Sequence, residues 1–204
     1  MNSNNILFIP GYNMDSNCYL IGDMLVDTGT GTNENYLISQ IEKHGIKRED
    51  ISLVVNTHCH FDHIGGNHFF ENAEIAVHEL DAISIRNEDT LGTTGTAFGF
   101  DDVNNSRVDI ELKDGDEIRG FKIIHTPGHT SGGICLWDGV NLISGDTVFS
   151  HGGVGRTDIG GDWNDLKESV LKLTNLDVVN LLPGHGPIVE GNGKEHIKFS
   201  YSQF

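Results

Sequence analysis

The amino-acid sequence predicts an α+β fold in which two mixed β-sheets pack face to face with helices outside. Short runs rich in Val, Ile, Leu and Phe, several of them joined by two-residue turns, indicate many strands. Hairpins lead to a helix and then to a strand that ends in a candidate ligand, and this order occurs once in each half of the chain. No linker-like stretch separates the halves, so residues 1–204 are predicted to form a single domain.

The charge of the chain excludes several classes of partner. Its 204 residues suffice for a hydrophobic core, and 30 acidic residues against 13 basic ones give a net charge of −17. A field of this sign repels nucleic acids and anionic lipid surfaces. We therefore expect a small-molecule substrate rather than a nucleic acid or a membrane. The sequence leaves the oligomeric state open, with a homo-oligomer among the alternatives.

The cysteines and the N-terminus bear on the compartment. The chain has three cysteines, an odd number without framework spacing, which favours reduced thiols. The N-terminus lacks the basic and apolar regions of a signal peptide, and no run reaches the ~18 apolar residues of a membrane-spanning helix. The sequence therefore predicts a cytoplasmic protein.

The first half contains four predicted strands and one helix. Residues 17–21 and 24–27 flank Gly22-Asp23, a two-residue turn typical of a β-hairpin. Apolar residues at helical spacing over 33–44 predict an amphipathic helix that Gly45 ends. The strands are predicted over 6–9, 17–21, 24–27 and 51–55.

The second half is predicted to repeat this order with a hairpin at 134–146, a helix over 162–173 and a strand over 178–182. Residues 86–107 show no period and are predicted to form a loop or partial helix that sets substrate choice, with a plain surface excursion as the alternative. The tail from Gly193 shows no clear period. Between the halves, strands are predicted over 74–77, 108–112 and 121–124, a helix over 79–85 and a hairpin turn over 113–116.

The densest group of chemically active side chains lies in residues 57–66, which read THCHFDHIGG. A buried strand precedes this segment, and a helix with Asp62 at or near its N-cap is predicted to follow. The segment therefore lies at the carboxyl end of a strand, where open α/β folds bind ligands. Its candidate metal ligands are His58, His60, Asp62 and His63.

Three later strand ends each place a candidate ligand beside glycine, which lets the backbone approach an ion closely. Imidazole and carboxylate groups suit zinc, iron or manganese, and two divalent ions, zinc above all, are the predicted cofactors. Such a pair would supply hydroxide near neutral pH and polarise a carbonyl group. The first ion is assigned to His58, His60 and His129, the second to Asp62, His63 and His185, and the bridging position to Asp146.

Four further residues near these ligands have roles that the sequence suggests. Asp27 is either a turn residue or a hydrogen-bond acceptor for a ligand histidine. Arg156 either binds a substrate carboxylate or pairs with Asp158. His151 is a candidate substrate-binding residue because it lies in a glycine-rich loop after Asp146. Cys59 is expected to pack away from the site.

The motifs together resemble the metallo-β-lactamase superfamily. They are T-H-x-H-x-D-H-x-G-G, followed by T-P-G-H-T, G-D and P-G-H-G, and the likeness extends from residue 17 to His185. The resemblance implies an αββα sandwich with the metals at one edge between the sheets. It also implies the same seven metal ligands.

Within that superfamily the chain most resembles the glyoxalase II-like hydrolases, through the segments 145–149 and 155–158. This likeness implies a dinuclear enzyme that cleaves a thioester or ester by attack of metal-bound hydroxide, with Asp62 and Asp146 as catalytic residues. Glyoxalase II carries a C-terminal helical region that binds glutathione. The chain ends soon after His185, so a glutathione thioester is not the expected substrate.

Two other activities share the pattern. The persulfide dioxygenases are similar, and they bind one iron through positions that match His58, His129 and Asp146, so the ligand set does not separate them from the hydrolases. The tRNA 3′-processing endonucleases share the histidine motif, but the net charge of −17 disfavours RNA. A binding protein without activity is the least favoured hypothesis, because no ligand position is missing.

Overall fold

The computed structural model describes residues 6–87, 89, 92–100 and 107–204. Within this part of the chain, eleven strands form two sheets. The first sheet contains β1 (Leu7–Ile9), β2 (Cys18–Ile21), β3 (Met24–Val26), β4 (Leu53–Val55), β5 (Glu74–His78) and β6 (Ile110–Leu112). The second contains β7 (Glu117–Ile118), β8 (Phe121–His125), β9 (Ile134–Trp137), β10 (Asn141–Gly145) and β11 (Asn180–Pro183).

The helices lie between and after these strands. The N-cap of the fourth helix is Asp162, whose carboxylate accepts hydrogen bonds from the amides of Asn164 and Asp165 at 2.8 and 3.0 Å. The described helices are α1 (Glu34–Glu42), α2 (Phe61–Ile64), α3 (Glu79–Arg86), α4 (Trp163–Thr174) and α5 (Gly193–Tyr201).

Both sheets are mixed, and they share one pattern. The first has the order β1-β2-β3-β4-β5-β6, and the second the order β11-β10-β9-β8-β7. In the first, β1, β2 and β3 are antiparallel and α1 leads to β4, which is parallel to β3. In the second, β8, β9 and β10 are antiparallel and α4 leads to β11, which is parallel to β10. The predicted repetition of hairpin, helix and strand is confirmed.

The core explains why the strands read as almost continuous apolar runs. Alternate residues such as Val26 and Val55 face the second sheet and pack against Phe121 and Leu136 of that sheet. The intervening residues of the first sheet pack against α1, and the outer face of the second packs against α4 and α5. Strands buried on both faces show little alternation of polar and apolar residues. The four layers are the predicted sandwich.

The hairpin predicted over 113–116 is wrong. β6 belongs to the first sheet and β7 to the second, so this segment carries the chain from one sheet to the other. The hairpin lies six residues later in the pairing of Ile118 with Phe121. Its turn residues Arg119 and Gly120 both have positive φ, 48° and 85°, as a two-residue hairpin turn of this kind requires. The arginine at the first position hid the turn in the sequence.

The tail also differs from the sequence analysis, which assigned it no period. It forms α5, which packs beside α4. The buried residues of α5 are Gly193, Ile197 and Ser200, and two of these three are not apolar. Because its buried face consists mostly of small residues, the helix leaves no apolar period to detect.

Candidate metal centre

The ligand-rich segment connects β4 to the one-turn helix α2. His60, with extended backbone angles of φ −67° and ψ 147°, is the N-cap of this helix. Asp62 is therefore the second helical residue, close to the N-cap but not at it. His58 and His60 direct their ligand atoms into the same group. Cys59, between them, is buried against Gly92 and lies away from the ligand atoms, as expected.

Glycines allow the remaining ligands to reach the same place. Asp146 follows β10 and His185 follows β11, and because these strands are parallel neighbours both side chains leave the same edge of the second sheet. A Cβ atom on Gly184 would lie 2.2 Å from Asp146 Oδ1 and 2.9 Å from His63 Cε1. No side chain fits at this position, so the glycine is required by close packing.

The predicted ligands come together in two groups at this edge. In each group the ligand atoms lie within 4.8 Å of one another. A third combination of His58, His63 and Asp146 meets the same criterion and joins the two groups. We call His58, His60 and His129 the three-histidine group, and Asp62, His63 and His185 the mixed group.

Asp146 lies between the two groups. Its Oδ1 is 3.4 Å from His63 Nε2, and its Oδ2 is 3.5 Å from His129 Nε2 and 3.6 Å from His185 Nε2. Within the mixed group, His185 Nε2 is 3.1 Å from Asp62 Oδ2 and 3.3 Å from His63 Nε2. The carboxylate of Asp146 therefore contacts both groups at once.

The chemistry of this donor set fits metal ions. Among the described residues, His58 Nε2, His129 Nε2 and Asp146 Oδ1 are buried and have no hydrogen-bond partner. Leaving a buried polar atom unpaired costs about 1–3 kcal/mol. A cation that accepted these lone pairs would remove that cost. Nitrogen and carboxylate oxygen are donors that zinc, iron and manganese accept.

Hydrogen bonds behind the ligands fix the orientation of their rings. Asp27 Oδ2 lies 2.8 Å from His63 Nδ1 and also accepts the hydroxyl proton of Thr57 at 2.8 Å. His129 Nδ1 donates to the main-chain oxygen of Arg156 at 2.7 Å. Each bond leaves the Nε2 atom of its histidine directed at the ligand group. Of the two readings of Asp27, the structure shows the acceptor for a ligand histidine.

Two members of the three-histidine group, His58 and His60, are held in their neutral form. Burial, reinforced by the neighbouring imidazoles, lowers the pKa of His58 well below its usual value. Burial and the adjacent His129 lower the pKa of His60 to about 3. Both imidazoles are therefore unprotonated near neutral pH, and their lone pairs are free to bind a cation.

The mixed group has the opposite electrostatic character. Burial raises the pKa of Asp62 and Asp146, but the neighbouring histidines, His63 first, outweigh it and lower both values. Burial lowers the pKa of His63, but the charges of Asp27, Asp146 and Asp62 raise it well above its usual value. The carboxylates that favour a proton on His63 would equally attract a divalent cation.

Asp81, a buried residue of α3, supports the candidate ligands, although little in the sequence singles it out. One carboxylate oxygen accepts the amide of Cys59 at 2.9 Å and the hydroxyl of Thr130 at 2.8 Å, and the other accepts the amide of Gly132 at 2.6 Å. Asp81 thereby joins the loop of His58 and His60 to the loop of His129. The only signal in the sequence is that Asp81 is an acidic residue next to the apolar Ala82 in a predicted helix, and this signal is weak.

The two predicted substrate-binding residues lie in different places. Arg156 lines the pocket above the ligands, where its guanidinium donates two hydrogen bonds to Asp158, each 2.8 Å long. His151 is exposed and lies beside His196 of α5, whose Nδ1 accepts its amide at 2.9 Å. His151 is not among the described residues that line the pocket.

Part of the stretch 86–107, which the sequence predicts to form a loop or partial helix near the site, reaches the same pocket. Residues 88, 90, 91 and 101–106 lie outside the described residues. Thr94 and Phe98 line the pocket. The Phe61 amide of α2 donates to the Thr93 main-chain oxygen at 2.9 Å, so this segment is attached to the ligand-bearing helix. The described residues that line the pocket are Asn13, Met14, His60, Phe61, Asp62, Thr94, Phe98, His129, Asp146, Arg156, Ile159 and His185.

Known proteins resemble this chain in both sequence and structure. It is 35% identical to the probable metallo-hydrolase MJ0888 of Methanocaldococcus jannaschii over an alignment of 215 residues. This alignment covers 97% of this chain and 98% of that protein. It is 30% identical over 193 residues to the acyl-coenzyme A thioesterase MBLAC2 of Homo sapiens, and this alignment covers 80% of this chain and 68% of that protein. The crystal structure of TTHA1623 in a di-iron-bound form matches with a TM-score of 0.77 and 26% sequence identity. The match covers 94% of this chain and 98% of that one.

Among the described residues, no helix is both long and apolar enough to cross a lipid bilayer.

The family match covers the whole candidate metal centre. Residues 11–185 match the family model of the metallo-beta-lactamase superfamily, and all seven predicted ligands lie within that range. The sandwich of two mixed sheets agrees with this match and with the solved structure. The chain therefore belongs to the metallo-beta-lactamase superfamily of metal-dependent hydrolases.

Proposed function

We propose that this protein is a dinuclear, glyoxalase II-like hydrolase that cleaves a thioester or ester of a small molecule. The observation that carries the proposal is the convergence of two ligand groups on Asp146, whose carboxylate oxygens lie 3.4–3.6 Å from nitrogens of both groups. A carboxylate in this position suits a bridge between two ions. Zinc is the proposed metal, with iron or manganese as alternatives.

Each ligand has a proposed place. The three-histidine group would hold the first ion and the mixed group the second, and Asp146 lies between the two groups and would serve both. Two bound ions would supply Lewis-acid polarisation of the acyl carbonyl and a water of lowered pKa. The unpartnered nitrogens of His58 and His129 support this assignment because they are buried and directed at the group.

The protein's own residues orient the reactants. Asp62 and Asp146, whose pKa values are lowered, are ionised near neutral pH and act as acceptors that orient a nucleophilic water. Asp27 and the Arg156 main-chain oxygen hold the rings of His63 and His129 in place. The pocket above the ligands is open to a small substrate that presents its carbonyl to the centre.

Thioester cleavage is supported by two independent likenesses. The segments 145–149 and 155–158 resemble the glyoxalase II signature. The similar human protein is named as an acyl-coenzyme A thioesterase.

The two sheets contribute residues to one shared core, which supports the further proposal that residues 1–204 form one domain.

The experiment begins with metal content, measured by elemental mass spectrometry on protein purified without added metal. We expect close to two ions per chain, followed by hydrolysis in a screen of thioesters and esters. The control is Asp146→Ala, which should bind fewer ions and hydrolyse none of the substrates. Two ions per chain without hydrolysis of any thioester or ester would overturn the proposed reaction.

A persulfide dioxygenase with one iron is the second candidate. The buried and unpartnered Nε2 atoms of His58 and His129, with Asp146 Oδ2 3.5 Å from the latter, support a mononuclear site of two histidines and one carboxylate. One iron per chain, together with oxygen consumption on addition of glutathione persulfide, would favour this activity. Two ions per chain and no oxygen consumption would reject it.

A further inference from the structure

An apolar surface borders the pocket above the metal centre. Four apolar residues line the pocket together with five of the seven predicted ligands. Two of them, Met14 and Phe98, are 45% and 43% exposed, although the chain carries a net charge of −17. We call Met14, Phe61, Phe98 and Ile159 the apolar wall.

The aromatic part of the wall is attached to the metal centre. The ring of Phe61 stacks on Phe98, with centroids 5.2 Å apart and an angle of 23° between the planes, and on Phe100 at 4.6 Å and 30°. Phe61 itself is 3% exposed and directly precedes the predicted ligand Asp62. Phe98 is therefore held by a buried ring at a fixed place beside the ligands.

The exposure of these residues calls for an occupant. Met14 lies in the loop between β1 and β2, and Phe98 lies in the segment after α3, yet both line one pocket. Apolar side chains that converge from distant segments on a concave surface are typical of ligand sites. Burying them would remove apolar surface from water, which is favourable in proportion to the area.

The charges around the pocket select the kind of occupant. Among the described residues that line the pocket, Arg156 alone carries a permanent positive charge. Both of its described hydrogen bonds go to Asp158, so an anionic acyl group would have to compete with that carboxylate for the guanidinium. The described part of the wall thus offers apolar contact and no free cation for a carboxylate or phosphate on the acyl group.

We propose that the apolar wall binds the acyl portion of the substrate, and that the enzyme prefers thioesters or esters of uncharged, apolar acyl groups. This inference rests on the proposed function, because it assigns the substrate class of the same site. The carbonyl then lies toward the metal centre while the acyl chain extends along Phe98 and Met14.

Turnover is one test. The full-length, metal-loaded protein is assayed with thioesters of one thiol whose acyl chains run from acetyl to octanoyl, and with a chain that ends in a carboxylate. We expect kcat/KM to rise about threefold per methylene, which corresponds to burial of most of a CH₂ group. The terminal carboxylate should abolish this gain. A flat series would overturn the proposal while leaving the hydrolase intact.

Matched variants locate the effect. Phe98→Ala should reduce the ratio of octanoyl to acetyl kcat/KM about tenfold, because the exposed ring supplies much of the wall. The control is Phe199→Ala, another exposed phenylalanine at 52%, which lies on α5 and does not line the pocket. An equal fall in the ratio for both variants would contradict the assignment of the wall.

Binding tests the wall without turnover. Acetohydroxamate and octanohydroxamate are titrated into the metal-loaded protein by calorimetry. The wall predicts that the octanoyl compound binds more tightly by roughly a hundredfold or more, and that Phe98→Ala reduces this preference about tenfold. Chain-dependent binding without hydrolysis would reject the proposed reaction and keep the wall. Equal affinities, or no binding of either compound, would overturn the wall.

Discussion

The two ligand groups differ in how completely the protein encloses them. In the three-histidine group, His58, His60 and His129 are 1%, 6% and 5% exposed. In the mixed group, His63 is buried as well, but Asp62 and His185 are only partly buried. Similar ligand numbers therefore occur in unequal surroundings. We expect the buried group to hold its ion more tightly, because less solvent competes for its ligands.

The difference originates in the two halves of the fold. Each half follows the same order of hairpin, helix and parallel strand. The first half ends in the segment from His58 to His63, whose four ligand-type side chains lie just before α2 or in its first turn. The second half ends in His185 alone, flanked by Gly184 and Gly186. Repetition of topology thus brings ligands to one edge without making their environments equal.

The largest expected effect comes from the residue that both groups share. Asp146→Ala should lower kcat/KM by roughly a thousandfold or more, because the carboxylate contacts ligands of both groups. His58→Ala should have a similar effect, since its buried nitrogen is directed at the three-histidine group. Circular dichroism should show a largely retained fold in both variants.

The control for these variants is His44→Ala, an exposed histidine outside both groups. Its kcat/KM should equal that of the parent protein. Unchanged activity in either Asp146→Ala or His58→Ala would contradict the proposed roles.

The second prediction tests the comparison of the two groups directly. Stepwise addition of a chelator should remove one ion before the other, as measured by elemental mass spectrometry after each step. His185→Ala should contain about one ion fewer per chain and lack the first step. His129→Ala, in the buried group, should weaken the tighter step instead. Loss of both ions in a single step would show that the two groups are equivalent.

Most of the candidate site could be predicted from the sequence because the candidate ligands lie at strand ends, most of them beside glycines. The segment from His58 to His63 is continuous, and His129, Asp146 and His185 each occur in a recognisable turn. Since strand ends of one sheet edge meet in space, these short motifs suffice to assemble the site. Their convergence into two groups follows without any knowledge of long-range contacts.

What the sequence could not predict depends on contacts between distant segments. Asp81 is an ordinary acidic residue of an amphipathic helix until its hydrogen bonds to Cys59 and Gly132 are known. The sheet to which β6 belongs is likewise decided by pairing with β5, not by the local pattern. Phe98 joins the pocket through its contact with Phe61, which no periodicity reveals.

A smaller effect, on metal affinity, is expected when the hydrogen bond that supports His63 of the mixed group is weakened. Asp27 has φ 59°, a left-handed conformation that asparagine tolerates and alanine does not, so Asp27→Asn removes the charge while keeping the backbone. We expect a loss of metal affinity of about 10–100-fold, because Asp27 accepts the Nδ1 proton of His63. The measurement is a competitive metal titration.

A matched control is Asp23→Asn. Asp23 lies in a turn at the surface, and its carboxylate contacts Ser52 and Arg119. This substitution should leave metal affinity unchanged. If Asp27→Asn also leaves it unchanged, the support behind His63 does not contribute to metal binding.

The last predicted effect is on the stability of the metal-free protein at low pH. Burial, with the neighbouring His129, lowers the pKa of His60 to about 3, against about 6.5 for an exposed histidine. The folded chain therefore binds fewer protons here than the unfolded chain, so this contribution to stability is complete above pH 6.5 and is lost as the pH falls. Between pH 7.5 and 5 the loss is about 2 kcal/mol.

His63 titrates in the opposite sense, because its pKa is raised, so the effect of His60 must be isolated by difference. Urea unfolding of the metal-free parent and of His60→Gln at pH 7.5 and 5 provides that difference. Glutamine has no proton to gain, and the variant should lose about 2 kcal/mol less than the parent over this range. Parallel pH dependence would mean that His60 is not held neutral by burial. The three-histidine group would then have to lose a proton before it could bind an ion, and the contrast between the two groups would weaken.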